Sequence, residues 1–306
     1  MNSKATAQRR VSWVGLGKMG VPMARNLRAA GALGIYNRNP AKAQELVAAG
    51  AQLYPSVAAL AQASDVVFSM VADDAALQDV ALAPQGVLNN LAPGSTFIEM
   101  STVSPAISIK VAELCQTRGI HYLRAPVSGS TALAAAGKLT ILVSGSRDGF
   151  DACQDLLGLL GKNLYYIGDG EQARFLKLSI NLMVGITSAM MAEALTLGRK
   201  GNVPWNDMIE IMSNSAVASP VVSYKAQMLK SRDFTPMFAA SQMAKDFDLA
   251  LGAAQSVKAP MPVTALVRQF FDAMVATGRG EQDFFGYVTL MEELAGLSAV
   301  DGTPED

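Results

Sequence analysis

The segment Val11-Ser-Trp-Val-Gly-Leu-Gly-Lys-Met-Gly-Val-Pro-Met-Ala-Arg-Asn-Leu27 constrains the fold more than any other stretch. A short β-type run, Val11 to Val14, stops at Gly15, and Gly15, Gly17 and Gly20 fit the spacing G-x-G-x-x-G. A helical stretch from Val21 to Ala30 follows at once and closes at Gly31. Strand, glycine turn and helix in that order open a βαβ unit able to hold a dinucleotide. The first glycine allows a tight turn, and the second lets a pyrophosphate approach the backbone. The third lets the helix pack close on the strand, so that phosphates lie on free N–H groups at the helix N-terminus. An ordinary Gly-rich turn in a βαβ unit is the competing reading.

Strand-like runs alternate with helical ones through the first half: Val11–Val14, Gly34–Asn37, Val66–Met70, Thr96–Met100, His121–Ala125 and Thr140–Ser144. Ala-rich periodic stretches, Ala41–Ala49, Val57–Ala61 and Pro105–Arg118, lie between them, and a last strand, Leu164–Ile167, runs into Gly168-Asp-Gly170. The alternation predicts an α/β fold, a Rossmann-type doubly wound parallel sheet with helices on both faces. No strand-period segment follows residue 170. Residues 171 to 200 read as one long helix ending near Gly198 and Gly201, with Arg199 and Lys200 suited to its C-terminus. Further helices break around Pro204, Pro220, Pro236, Pro260 and Pro262. Two domains are therefore expected: a dinucleotide-binding domain over 1–170 and an all-α substrate and oligomerisation domain over 171–306. The long helix is expected to be buried between them.

Half of the 306 residues are apolar, 17% are charged, and the net charge is −1. That balance, with Lys and Arg scattered, argues against a nucleic-acid binder or a disordered chain. Sixteen Met suggest closely packed helices, most of the Met in the core, with a homodimer or homotetramer expected. Cys115 and Cys153 fit neither a metal spacing nor a disulfide framework, which suits a reducing cytoplasm. His121, the only histidine, excludes a multi-histidine metal site and reads as structural, so no metal is expected. The opening Met1 to Arg10 lacks the apolar stretch of a leader, and no uninterrupted apolar run reaches the ~18 residues of a membrane span. No membrane partner is expected. The polar ends, including Asp301 to Asp306, are expected to fray.

The second predicted strand ends Tyr36-Asn-Arg38, where NAD-selective sites carry Asp or Glu for the ribose 2′-hydroxyl. A guanidinium at Arg38 can instead clamp a 2′-phosphate, so NADP(H) is favoured over NAD. Arg38 as an exposed loop charge is the plainer alternative. Farther on, Lys177 and Asn181 stand four apart on a helix apolar on nearly every side past Arg174, and so share one face. An ammonium there is costly without a partner or cleft. A dehydrogenase needs a proton donor or acceptor beside the carbonyl or alcohol oxygen, and a lysine whose pKa is lowered by desolvation can serve. The plainer alternative is a snorkelling lysine with Asn181 as a packing contact.

The chain resembles the β-hydroxyacid dehydrogenases, the group of 3-hydroxyisobutyrate dehydrogenase, tartronate semialdehyde reductase and glyoxylate/succinic semialdehyde reductases. The resemblance covers about residues 11 to 297. It rests on the Gly15–Leu27 loop, Asn37-Arg38, Glu99-Met-Ser-Thr-Val-Ser-Pro105, Ala125-Pro-Val-Ser-Gly129, Lys177-Leu-Ser-Ile-Asn181, Lys245-Asp246 and Gly280-Glu-Gln-Asp-Phe284. It implies reversible hydride transfer between NADP(H) and a small 3-hydroxy acid or its semialdehyde. Lys177 would be the general acid/base, Asn181 its positioning partner, and Ser128 with the Gly129 backbone the carboxylate site. The cofactor would meet Gly15, Leu16, Gly17, Lys18, Met19, Gly20, Asn37, Arg38, Val71, Ser101, Thr102 and Lys245.

Two positions depart from the family pattern: Arg124 and Ser130 stand where Asp and Gly are common. Arg124 then reads either as a second charge near the substrate or as a surface ion pair, and Arg174 as a partner or competitor of Lys177. Plainer readings accompany the other motifs: Ser101-Thr102 as a helix cap, Ser128-Gly129 as a turn, Lys245 as a solvated charge. An imine reductase-like enzyme and a non-catalytic dinucleotide-binding protein are the competing functions, and the retained Lys177 argues against both. A 6-phosphogluconate dehydrogenase is more distant, because no cluster of basic residues suits a sugar phosphate.

Overall fold

The computed structural model describes residues 9–29 and 31–298. Met1 to Gln8 and Asp301 to Asp306, the ends expected to fray, lie outside these residues, as does Ala30, the expected end of the first helix. The strands are β1 (Val11–Val14), β2 (Leu33–Tyr36), β3 (Gln52–Leu53), β4 (Val66–Ser69), β5 (Thr96–Glu99), β6 (His121–Arg124), β7 (Val127–Ser128), β8 (Leu139–Gly145) and β9 (Gly161–Tyr166). The longer helices are α1 (Gly20–Arg28), α2 (Pro105–Arg118), α3 (Arg147–Gly158), α4 (Gln172–Lys200), α5 (Trp205–Ser213), α6 (Pro220–Ser231), α7 (Ala240–Ser256), α8 (Pro262–Ala276) and α9 (Tyr287–Leu294).

The strands form one sheet in the order β3-β2-β1-β4-β5-β6-β8-β7, with β9 paired to β8. From β3 to β6 every pairing is parallel. The order reverses at β1, so the crevice beyond the C-terminal ends of β1 and β4 is where such a sheet takes a ligand. A parallel sheet was expected and parallel pairing dominates, with the exception that β8 runs antiparallel to β6 and β7. The connection from β6 to β8 carries β7 and a five-residue helix, Thr131–Ala135, so no long crossover helix turns the chain round. Several strands stop one residue short of expectation. The N–H groups of Met70, Met100 and Ala125 nevertheless still bond to the neighbouring strands, at 2.9, 2.9 and 2.7 Å.

Side chains alternate across the sheet, as the pleat requires. Trp13, Phe68, Ile98 and Leu123 face one side, with Met23 of α1 and Phe150 of α3. Val14, Val67, Phe97 and Tyr122 face the other, with Ile107 and Val111 of α2. Helix α2 shows how local chemistry sets an element. Ser104 caps it by accepting the Ile107 N–H at 3.1 Å, Pro105 occupies its first turn, and Gly119 ends it at φ +64°. Cys115 and Cys153 are buried free thiols, and burial pushes the Cys115 thiol up to about 12.

The chain divides into two compact units between Lys177 and Leu178, within α4. Among the described residues no strand follows β9; only an isolated antiparallel bridge joins Ala239 and Asp283. The helices break around the expected prolines, several of which begin the next helix: Pro204 precedes α5, and Pro220 and Pro262 open α6 and α8. Two glycines let helices close on α4. A Cβ at Gly185 would meet the Phe247 ring of α7 at 2.3 Å, and one at Gly198 the Met208 sulfur of α5 at 2.1 Å. By length and apolarity α4 could cross a bilayer, a property it shares with core helices, and Ala192, Leu195 and Ala189 of α4 lie in an apolar core with Phe247 and Phe271.

The helical unit is knotted by a buried ion pair, Lys225 to Asp283 at 2.6 Å, with both side chains at most 1% exposed. Asp283 also accepts the N–H groups of Met237, Phe238 and Phe285 at 3.0, 3.2 and 3.1 Å. Burial pushes the Lys225 ammonium below its ordinary range, against the opposing pull of Asp283. Lys225→Met strands the carboxylate without its cation. We expect it to cost roughly 3–5 kcal/mol, read as a lowered urea midpoint.

Candidate active site

The glycine turn is closed by backbone contacts on both sides. Gly15 sits at φ +99°, and a Cβ there would lie 2.1 Å from the Met70 carbonyl oxygen. A Cβ at Gly20 would lie 2.1 Å from the Gly15 carbonyl oxygen, so α1 packs on the end of β1 with no room for a side chain. Gly17 differs: a Cβ there would meet nothing within 4 Å. The Trp13 indole donates to the Gly15 carbonyl at 2.7 Å. The Leu16 N–H donates to Asn37 Oδ1 at 2.9 Å, tying the turn to the end of β2. No side chain caps α1 and its first turn holds no acid, leaving its positive end for an anion. An open backbone at Gly17 beside an uncapped helix end fits a pyrophosphate. Leu16 is a core side chain, so only its backbone can serve a ligand there; Met19 packs partly against the same core, and Lys18 is exposed.

Beside the turn, a groove of about 450 Å³ is lined by Tyr36, Asn37, Arg38, Pro40, Leu53, Tyr54 and Pro55. Asn37 spends its side chain inside the protein, accepting from Leu16 and donating to the Asn39 carbonyl at 2.8 Å. Arg38 is exposed and forms no ion pair with the described residues. A cation in that position is available to a phosphate.

The C-terminal ends of three strands are lashed together. Ser101, 1% exposed, accepts the Val71 N–H on its hydroxyl at 2.7 Å and donates its own N–H to Glu99 Oε1 at 2.8 Å. Arg174 of α4 pairs with the other Glu99 oxygen and donates to the Ser101 carbonyl at 2.6 Å and the Tyr122 hydroxyl at 3.3 Å. Burial is the strongest single influence on Arg174 and opposes its charge, but Glu99, Tyr122 and Glu171 together outweigh it and raise the guanidinium above its ordinary range. Burial likewise pushes the Tyr122 phenol up to about 12. Arg124 donates to Glu171 at 2.7 Å and lies over the Tyr122 ring, 4.6 Å from its centre. It is 5% exposed, so it is not the surface pair that the sequence offered as one reading. Arg174 is equally committed and does not compete with Lys177. His121 bonds Ser146 at 2.8 Å.

Ser128 is half-buried on β7, opposite Thr140, and Gly129 follows it, exposed, at φ +143°. Ser130 caps the next short helix through the Leu133 N–H at 3.3 Å. Thr102 is half-buried after Ser101, and Ser104, not Ser101 or Thr102, caps α2. Lys177 is 9% exposed on α4. In the helical unit, Asn181 donates to Asp246 Oδ2 at 2.5 Å, and Lys245 lies 3.2 Å from Asp246 Oδ1. Asp246 is 2% exposed. Its organising place between Asn181 and Lys245 was not read from the sequence, and neither was that of Glu99. A lone carboxylate in Ala244–Phe247 and another ending Thr96–Glu99 were the available signals.

Fold and turn together define a dinucleotide-binding protein of the doubly wound class. Residues 10–168 match the NAD binding domain of 6-phosphogluconate dehydrogenase, and residues 171–291 match the NAD-binding domain of NADP-dependent 3-hydroxyisobutyrate dehydrogenase. The chain is 35% identical to 2-(hydroxymethyl)glutarate dehydrogenase of Eubacterium barkeri, over 96% of this chain and 98% of that one. It is 32% identical to NAD-dependent L-serine dehydrogenase of Pseudomonas aeruginosa, over 90% and 95%. A crystal structure of 3-hydroxyisobutyrate dehydrogenase from Salmonella typhimurium superposes with a TM-score of 0.83 at 28% identity, covering 92% of this chain and all of that one. The chain belongs to the β-hydroxyacid dehydrogenase family. It is an NAD(P)-dependent hydroxyacid dehydrogenase.

The two glycines should separate in experiment. Gly17→Ala places a methyl where nothing of the protein stands, so thermal unfolding should hardly move while dinucleotide affinity falls roughly tenfold, about 1.4 kcal/mol. Gly20→Ala instead drives a methyl onto a backbone oxygen and should destabilise by about 1–3 kcal/mol. Calorimetry of both variants, with and without dinucleotide, checks the pair.

Proposed function

We propose that the chain transfers hydride between NADP(H) and a small 3-hydroxy acid or its semialdehyde, with Lys177 as general acid/base. The observation that carries this reading is the lysine itself. Its side chain is buried on α4, one turn past a segment anchored to the strand ends and four residues before Asn181.

When bound, the dinucleotide supplies or accepts hydride at the nicotinamide. The open backbone at Gly17 and the uncapped N-terminus of α1 would hold its pyrophosphate, and Val71, Ser101 and Thr102 would line its ribose and nicotinamide. Relatives and family models name both NAD and NADP, so the choice rests on this chain's residues. With the Asn37 side chain bonded to Leu16 and Asn39 and Arg38 exposed beside a groove, a 2′-phosphate finds a cation and no carboxylate.

Ser128 and the Gly129 N–H would grip the substrate carboxylate and so fix the distance to the reacting carbon. Lys177 Nζ would give its proton to the carbonyl oxygen as that carbon is reduced, and take the hydroxyl proton in the reverse direction. Asn181, steadied by Asp246, would orient the lysine, and Lys245 would add positive charge for an anionic ligand. L-serine and 2-(hydroxymethyl)glutarate, named in two relatives, both carry the hydroxyl on the carbon β to a carboxylate. That supports the 3-hydroxy acid class. A homodimer or homotetramer belongs to the same reading, supported by exposed Leu176, Met183, Met190 and Leu197 at seven-residue spacing along α4.

Two measurements test the proposal. With a panel of 3-hydroxy acids, semialdehydes and a cyclic imine, Lys177→Ala should lower turnover about 10²–10⁴-fold while dinucleotide affinity stays near wild type. Unchanged turnover removes the mechanism. For Arg38→Ala, affinity for NADPH should fall roughly tenfold or more and that for NADH hardly at all; an equal fall contradicts the clamp.

A further inference from the structure

The first turns of α4 are pinned to the ends of three strands. Ser144 of β8 accepts the Ala173 N–H at 3.2 Å and donates to the Gly170 carbonyl at 2.7 Å. Arg124 of β6 holds Glu171, and Glu99 of β5 holds Arg174. The third tie differs from the other two in what it also grips. The Arg174 guanidinium reaches the Ser101 carbonyl, Glu99 takes the Ser101 N–H, and the Ser101 hydroxyl takes the Val71 N–H. One ion pair therefore connects the helix to the turns leaving both β4 and β5. Lys177 follows Arg174 by three residues, about 4.5 Å farther along the axis and about 60° round it.

We infer that the buried Glu99–Arg174 pair is a positioning device that registers Lys177 against the Val71 and Ser101 turns. It touches neither substrate nor dinucleotide and acts through the groups it holds. The inference rests on the reading of Lys177 as the proton carrier. A role in stability alone is a poor account of the pair, because burying two charges costs desolvation that apolar residues of the same volume avoid. The planar fork of arginine offers something an apolar side chain cannot, namely two fixed donor directions, here one to a carboxylate and one to a backbone carbonyl. Glu99 is 0% and Arg174 1% exposed, so neither is available to a ligand directly.

Four variants of the full chain test this: Lys177→Ala, Arg174→Met, Arg174→Met with Glu99→Gln, and Arg174→Lys. Thermal unfolding, kcat, and KM for NADPH and for a semialdehyde are read for each. Arg174→Met leaves Glu99 buried without its cation and should lower both Tm and kcat. The double variant removes both charges, so most of the lost Tm should return while kcat stays at least tenfold down and KM for NADPH moves less than threefold. Arg174→Lys keeps the charge and the fold but loses one of the two directed donors, and kcat should again fall with KM held. Recovery of kcat together with Tm in the double variant, or wild-type kcat in Arg174→Lys, overturns the inference. Should Arg174→Met prove insoluble, Arg174→Lys alone decides. Lys177→Ala separates the two failures: if its turnover is unimpaired, the lysine mechanism falls first, whereas a crippled Lys177→Ala beside an unimpaired Arg174→Lys condemns the positioning role only.

Discussion

The structure turns on a contact where two backbones meet with no side chain between them. At Gly20, α1 approaches the Gly15 carbonyl so closely that a single methyl group would stand 2.1 Å from the oxygen. That approach fixes the angle at which α1 leaves β1, and with it the direction of the first-turn N–H groups. The neighbouring strands then close on the same few atoms. The Met70 carbonyl after β4 presses on Gly15, the Tyr36 carbonyl of β2 accepts the Gly15 N–H at 3.1 Å, and Asn37 takes the N–H of Leu16. A turn held from three strands is already in the shape its ligand requires, so little ordering remains to be done on binding.

Much of the fold was legible because the pleat writes itself into sequence. Trp13 and Val14, Phe68 and Val67, Ile98 and Phe97 sort into two cores by position alone. Cap chemistry marked α2 at both ends through Ser104, Pro105 and Gly119. What escaped was decided by tertiary pairing. β3 and β7 are two residues each, too short to carry a period, and the reversed direction of β8 follows from a short connection with no long helix in it. The prolines did mark the breaks between helices, and the structure adds that Pro220 and Pro262 begin the next one, where the missing N–H has no intrahelical partner to lose.

The candidate site was legible as a set of motifs and opaque as a set of contacts. Gly17, Arg38, Ser128 and Lys177 could be picked out by residue type and spacing. Arg124 and Arg174 could not be assigned, because their partners Glu171 and Glu99 stand 47 and 75 residues away in the chain. Ser101 could be picked out as a hydroxyl after a strand end, but not the neighbouring strand's N–H that its hydroxyl accepts. Asp246 shows the same limit in the helical unit, where a carboxylate beside Lys245 gathers an amide from a helix 65 residues earlier. Charged side chains inside a fold take their meaning from what faces them, and sequence periodicity does not record that.

The two tryptophans of the chain fall one to each unit. Trp13 lies stacked on Phe68 with its indole N–H on the Gly15 carbonyl, directly beneath the dinucleotide turn. Trp205 opens α5, donates to the Leu229 carbonyl at 2.9 Å and lies under the Arg232 guanidinium. Indole emission responds to the polarity and charge around the ring, so the unlabelled chain carries two separate optical probes. One is set in the wall of the nucleotide fold and the other in the helical half, and their signals give each half its own colour in a melting or mixing experiment.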